Sequence, residues 1–173
     1  MHIVDGLFDA AMVKLLHETL IRLPFTLSDY DTEDTMHMRH WKFDFSPEGL
    51  EQNPILGPWH RQVVARAAEL VGAPSLVVRR IYCNNVHYGD HQHMHVDDRD
   101  GTTALYFANA EWAENWQGET IFYGRDGDAL HAVAPRPGRL VVFSSDCLHR
   151  GGVPARTCLE PRLTVAFKLG PGR

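Results

Sequence analysis

Near the start of the chain Phe8, Met12, Leu15, Leu16, Leu20 and Leu23 recur at helical spacing, and Pro24 stops the run. One apolar stripe on an otherwise polar segment predicts an amphipathic helix. A second helix is predicted where Pro58 suits a first turn, Trp59, Val63, Ala67, Leu70 and Val71 share one face, and Gly72 and Pro74 end the pattern. From Leu76 onward the period changes to short β-branched and aromatic runs between turn residues. These predict strands over 76–82, 102–109, 119–123, 129–133, 139–143 and 163–169. Asp126-Gly127 suits a tight hairpin, and Pro137-Gly138 marks the next turn. The segment 26–47 is ambiguous: 36–45 offers an outer strand, whereas 29–34 reads as a solvated acidic loop.

Two helices followed by at least six short strands imply a mainly β fold, a sandwich or barrel of jelly-roll type with N-terminal helices buttressing one sheet. Such a shell has a mouth in which a ligand can sit. The 173 residues, 44% hydrophobic and 23% charged, suit one domain spanning 1–173 with a real core. A net charge of -5 disfavours nucleic acid as a partner, since that usually needs a basic face. Cys83, Cys147 and Cys158 are far apart without a C-x-x-C pair, which fits free thiols in a reducing compartment. The first seven residues carry neither a basic segment nor a long apolar one, so the expectation is a cytoplasmic protein without a membrane span.

The candidate chemistry begins with His95-Val96-Asp97. With 11 His in 173 residues, a His-x-Asp pair is expected about once by chance, so the pair alone proves nothing. Its weight comes from order and setting. The pair precedes a predicted strand, His149 follows another, and Arg162 with Thr164 opens the last one. Residues two apart on an extended segment project to the same side, so His95 and Asp97 can chelate one ion while Val96 faces away. Two imidazoles and one carboxylate form the facial set that binds Fe(II) and leaves the opposite positions open for cosubstrate and dioxygen. Arg162 and Thr164 can likewise face inward together. A guanidinium fork with a hydroxyl beside it matches a carboxylate and suits the far end of 2-oxoglutarate. The competing reading is an exposed strand-end Arg162 paired with an acid such as Glu160.

His87, His91 and His93 crowd the same stretch and read as a polar loop. Zinc is a minor alternative: His93-x-His95 looks like the start of a cupin metal motif, but Glu119 lies too far downstream for it. Arg79 and Arg80 read as solvated, with alternation sending at most one inward. Trp112 and Trp116 read as core residues in preference to a wall of the mouth.

Over roughly 77–169 the sequence resembles the Fe(II)/2-oxoglutarate-dependent dioxygenases, specifically their small prolyl-4-hydroxylase-like branch. Besides the metal residues, the resemblance rests on Tyr88-Gly89-Asp90, Ala104-Leu105-Tyr106-Phe107-Ala108-Asn109 with Trp112, Trp116-Gln117-Gly118-Glu119-Thr120, Pro137-Gly138-Arg139-Leu140 and Leu148-His149-Arg150. It implies a double-stranded β-helix, a cupin-like jelly roll, with His95, Asp97 and His149 as iron ligands and Arg162 on 2-oxoglutarate. It further implies consumption of dioxygen, release of succinate and CO2, and hydroxylation of a C–H bond. A carboxylate at Asp97, where related halogenases carry a small residue, favours hydroxylation over halogenation.

Two departures stand out. Where many relatives place a tyrosine to bond the cosubstrate, this chain has Val86 and Phe107, leaving Tyr82, Asn84 or Tyr106 as substitutes. The family's usual double glycine before Glu-Thr is Gln117-Gly118. The substrate expected is a small molecule or an amino-acid side chain. A sensor-type protein hydroxylase acting on peptides and a catalytically silent ligand-binding jelly roll are the alternatives.

Overall fold

The computed structural model describes residues 1–172. Strand β1 (His2–Val4) and helix α1 (Ala10–Leu20) come first, then strands β2 (Thr26–Asp29) and β3 (His40–Asp44). Helices α2 (Pro47–Gln52) and α3 (Leu56–Val71) follow. The remaining strands are β4 (Leu76–Val86), β5 (Thr102–Phe107), β6 (Thr120–Tyr123), β7 (Ala129–Val133), β8 (Leu140–Ser144), β9 (His149–Arg150) and β10 (Arg162–Pro171). A large antiparallel sheet has the order β1-β8-β5-β10-β4-β3-β2, and a small one the order β7-β6-β9. This is the expected mainly β architecture with helices against one sheet.

Local chemistry starts both long helices. The Asp9 carboxylate accepts from the Met12 amide at 2.8 Å, satisfying an N–H that the first turn of α1 leaves without a partner. The Asn53 side chain accepts from the Ile55 and Leu56 amides at 3.0 and 2.9 Å, and α3 ends on Gly72 in the left-handed conformation. Val13, Leu16 and Leu20 from α1 and Trp59, Val63 and Ala67 from α3 are buried.

Strand alternation gives the large sheet two different faces. Along β10, Leu163, Val165, Phe167 and Leu169 join the core under the helices, together with Ile81, Tyr106 and Leu140. The opposite parity carries Arg162, Thr164, Ala166 and Lys168 into the space between the sheets. There a smaller apolar cluster of Leu105, Phe107, Phe122, Val141 and Phe143 closes one side.

Three elements were not foreseen. Helix α2 is one short turn pair, and β9 has two residues. Strand β1 has three, and it pairs along β8. It is held by a two-pronged ion pair in which Arg139 donates through Nε and Nη2 to the Asp5 carboxylate, both at 2.7 Å. The ambiguous stretch resolves into β2 and β3, extending the large sheet beside β4. The solvated acidic loop expected over 29–34 is corrected at Asp31, whose side chain is only 6% exposed. Among the described residues no helix is long and apolar enough to cross a membrane, and all three cysteines are free.

Arg79 and Arg80 are both exposed, as the sequence suggests, but a bulge in β4 removes the limit of one facing inward. Lys168 pairs with Arg80 and Leu169 with Val78, so Arg79 is the extra residue. The bulge breaks alternation, and Arg79 and Arg80 both line the inter-sheet cavity.

The backbone between Trp116 and Glu119 favours glycine at two successive positions. Gln117 has φ 58° and ψ −145°, in a region that side chains rarely adopt, and Gly118 follows at φ 86°. A Cβ on Gly118 would also crowd Trp112 at 3.0 Å and Arg162 at 3.2 Å. Gln117→Gly is therefore expected to raise stability by about 1 kcal/mol, measured as a higher midpoint in urea unfolding with unchanged slope. An unchanged or lower midpoint would show that Gln117 is not strained.

Candidate metal centre and cosubstrate pocket

His95, Asp97 and His149 meet although more than fifty residues separate the first from the last. Backbone pairing brings them together. The His95 amide donates to the His149 carbonyl and the His149 amide to the His95 carbonyl, both at 2.9 Å, so residues 95–97 run along the free edge of β9. The Asp97 amide then donates to the Ser145 carbonyl at 2.9 Å. Their Nε2, Oδ1 and Nε2 atoms lie within 4.8 Å of one another, with Asp97 Oδ1 3.6 Å from His95 Nε2 and 3.8 Å from His149 Nε2. Atoms sharing one divalent ion through bonds of about 2.1 Å lie within about 4.2 Å of each other, so both spacings fit.

The surrounding groups orient each candidate ligand and shift its protonation. His95 Nδ1 lies 3.0 Å from the His93 carbonyl and His149 Nδ1 2.9 Å from the Cys147 carbonyl. A proton on each Nδ1 satisfies these contacts and leaves both Nε2 lone pairs directed at Asp97. Phe122 and Phe143 pack on the His149 ring, and burial takes its pKa down to about 4 against the pull of Asp97. For His95, burial also opposes the charge, but Asp97, the His93 carbonyl and Asp31 outweigh it and raise the pKa. The Asp97 side chain is 2% exposed. Burial works against its ionisation, yet bonds and charge from His95, Lys168 and His149 hold its carboxyl well below the usual range. Its second oxygen, Oδ2, accepts from Thr103 Oγ1 at 2.6 Å and meets Lys168 Nζ at 2.5 Å, so Oδ1 alone is left for an ion.

Asp31 supports the site from behind. Its Oδ1 lies 3.5 Å from both His95 Nδ1 and His40 Nε2, and its Oδ2 accepts from the His93 amide at 2.5 Å. Burial opposes the charge on both partners, but their mutual attraction lowers the Asp31 pKa and raises that of His40.

Arg162 occupies the other end of the same cavity, which holds about 340 Å³. It is 2% exposed and donates through Nε to the Gly118 carbonyl and through Nη2 to Thr120 Oγ1, both at 2.7 Å. Thr164 Oγ1 is 3.4 Å from Nη1, and the Phe107 ring lies 5.1 Å from the guanidinium carbon. Asn109 brackets the residue by accepting from the Leu163 amide and donating to the Pro161 carbonyl, both at 2.8 Å. The pairing with Glu160 does not form: among the described residues no carboxylate makes an ion pair with Arg162, and burial brings its pKa down to about 10. Glu119 acts on the guanidinium only from beyond ion-pair distance, and a buried guanidinium that still carries charge at pH 7 without a direct counterion calls for an anionic ligand.

The 2OG-Fe(II) oxygenase superfamily model matches residues 80–167, just over half of the chain and the whole span from the bulge to the core of β10. This chain belongs to that superfamily. Its cofactors are Fe(II) and, as cosubstrates, 2-oxoglutarate and dioxygen. No curated protein sequence matches it. Among solved structures the oxygenase is similar to a prolyl-4-hydroxylase from Pseudomonas putida, with TM-score 0.69 and 17% identity over 96% of this chain and 91% of that one. It is also similar to HygX from Streptomyces hygroscopicus, solved with nickel and 2-oxoglutarate bound, with TM-score 0.73 and 14% identity over 98% and 82%. A Trichoplax adhaerens prolyl hydroxylase in complex with a hypoxia-inducible-factor peptide fragment gives 0.68 and 14% over 98% and 82%. At such identities the likeness is one of fold, the double-stranded β-helix.

The oxygenase's remaining candidates divide cleanly. Tyr82 and Asn84 line the cavity, and Asn84 Oδ1 is buried without a partner. Tyr106 faces the helices, with its ring 5.3 Å from that of Trp59. Trp112 and Trp116 form a half-buried edge-to-face pair beside Gly118, so neither belongs to the core as expected. Sequence reasoning missed Asp31, Thr103 and Lys168. For Lys168 the signal was present, since it continues the Arg162, Thr164 parity; Asp31 carried none beyond an acidic run.

Asp31→Asn removes the charge behind His95 and is expected to weaken Fe(II) binding about tenfold, read from an anaerobic metal titration. Unchanged metal affinity would mean that Asp31 only ties the β2–β3 loop down.

Proposed function

We propose that this oxygenase is a hydroxylase of an unactivated C–H bond in a small molecule or an amino-acid side chain, releasing succinate and CO2. In this reading His95, Asp97 and His149 hold the iron, and Arg162 with Thr164 holds the far carboxylate of 2-oxoglutarate. The observation that carries it is the unpaired, buried Arg162 facing the same cavity as three ligand-ready side chains. Iron and 2-oxoglutarate together supply the oxidising chemistry, activating dioxygen as the keto acid loses CO2.

The protein's own part is placement. Gly118 and Thr120 lock the guanidinium in one orientation and Asn109 fixes the backbone that carries it, so the cosubstrate's length is measured from a fixed point. Tyr82 and Asn84 lie along the wall between the two ends, where the unpartnered Asn84 oxygen and the Tyr82 hydroxyl can meet polar atoms of the ligand. Leu105, Phe143 and Ala166 keep part of the wall apolar and limit water near the reacting centre. Thr103 and Lys168 restrict Asp97 to one free oxygen, so a metal held here would take a single carboxylate oxygen beside the two imidazoles.

A peptidyl side chain as substrate is a second reading, favoured by the prolyl hydroxylases among the similar structures. Comparing succinate formation stimulated by metabolites with that stimulated by peptides separates the two.

His95→Ala and Asp97→Ala are expected to abolish succinate formation, and full activity in either would mean that the ligands are misassigned. Arg162→Ala is expected to keep metal binding but raise the 2-oxoglutarate requirement about a hundredfold. The readout is the visible charge-transfer band of the anaerobic iron and keto-acid complex. An unshifted midpoint would sink the cosubstrate assignment.

A further inference from the structure

Lys168 lines the cavity beside Arg79 and Arg80, and the proposed chemistry gives its ammonium no partner beyond Asp97. It sits two positions beyond Ala166 on the parity of β10 that carries Arg162 and Thr164, with its side chain 17% exposed. Its Nζ lies 2.5 Å from Asp97 Oδ2 and 5.4 Å from the Tyr82 ring centre. Arg80 stacks on that ring at 4.5 Å, further out toward the mouth.

Charge accounting around this ammonium points to a ligand. A divalent ion and a dianionic keto acid cancel one another, and Asp97 and Arg162 do the same, so the loaded centre is neutral before Lys168 is counted. The other acids nearby are taken. Asp31 lies at the Nδ1 edge of His95 with His40 and the His93 amide. Asp29 pairs with Lys42 at 3.0 Å, and Asp98 and Asp100 both pair with Arg79 at 2.9 Å. Once a cation draws on Asp97 through Oδ1, Lys168 retains only a share of a carboxylate whose charge is already used. Thr103 holds Oδ2 without it, so fixing Asp97 does not by itself require a lysine.

We propose that Lys168 is a specificity-determining residue that binds a carboxylate of the substrate, so the substrate class is a small organic acid whose acid group lies close to the oxidised carbon. This rests on the hydroxylase reading above and deepens it. A residue inside a peptide chain offers no backbone carboxylate, so the inference favours free acids, free amino acids among them, over peptides. Tyr82 and the guanidinium of Arg80 continue the binding wall outward from Lys168.

The test uses propionate and its neutral isostere propionamide on the full chain loaded with Mn(II) and saturated with 2-oxoglutarate. Paramagnetic broadening of the propionate methyl resonance reports approach to the metal without requiring turnover. Broadening is expected for propionate and not for propionamide. Lys168→Met should weaken apparent propionate affinity at least about tenfold, the value of one charge-assisted bond, while Lys168→Arg retains it. Equal broadening by the amide, no broadening by propionate, or undiminished propionate binding in Lys168→Met would each overturn the proposal. The acid and amide comparison needs no variant, so a misfolded Lys168→Met leaves the proposal falsifiable. A normal keto-acid charge-transfer band in the Fe(II)-loaded wild type, alongside a failed propionate result, would discard the role of Lys168 and leave the hydroxylase reading standing.

Discussion

The antiparallel bridge between His95 and His149 is the constraint on which the site depends. Two backbone hydrogen bonds join an irregular segment to a two-residue strand and place both imidazoles on one side of the pairing. Side chains alone could not do this economically, because the loops on either side are long and each would lose conformational freedom separately. With the bridge formed, the position of Asp97 follows from extended geometry, and Ser145 secures its amide. Asp31 and Lys168 then act on side chains already in place. The chemistry is thus built on main-chain pairing and refined by charge.

The large sheet supplies the complementary rigidity. Helices α1 and α3 bury its outer face with Trp59, Leu16 and Phe167 at near-zero exposure, so β10 and β4 cannot shift without opening that core. Arg162 and Asn109 are therefore presented from a fixed wall, whereas His149 comes from the small, three-stranded sheet. The cavity lies between a well-supported surface and a lighter one, an arrangement suited to ligands that must enter and leave.

Much of this was legible in the sequence, for physical reasons that differ by element. Strand β7 and the cores of β5, β6 and β10 announce themselves as short apolar runs between turn residues, and α1 and α3 by their apolar stripes, because packing a helix on one face imposes a period. Strands β1 and β9 are too short to show any period; they exist because longer neighbours offer open edges. The pairing of His95 with Asp97 on one side was readable because they are local to each other. Asp31 was not, since its burial is decided by residues tens of positions away. The bulge at Arg79 hides similarly: one extra residue in β4 has no local signature, yet it turns two adjacent arginines toward one cavity.

Strand β10 divides its labour by odd and even positions, with the fold's interior on one set and every chemical group on the other. Divergence within this strand is consequently restricted to exchanging one residue for another. Adding or deleting a single position would invert the assignment and drive Arg162 and Lys168 into the hydrophobic layer beneath the helices. Changes in chain length, and the new specificities they bring, are channelled instead into the connections around the mouth, where no such parity has to be kept.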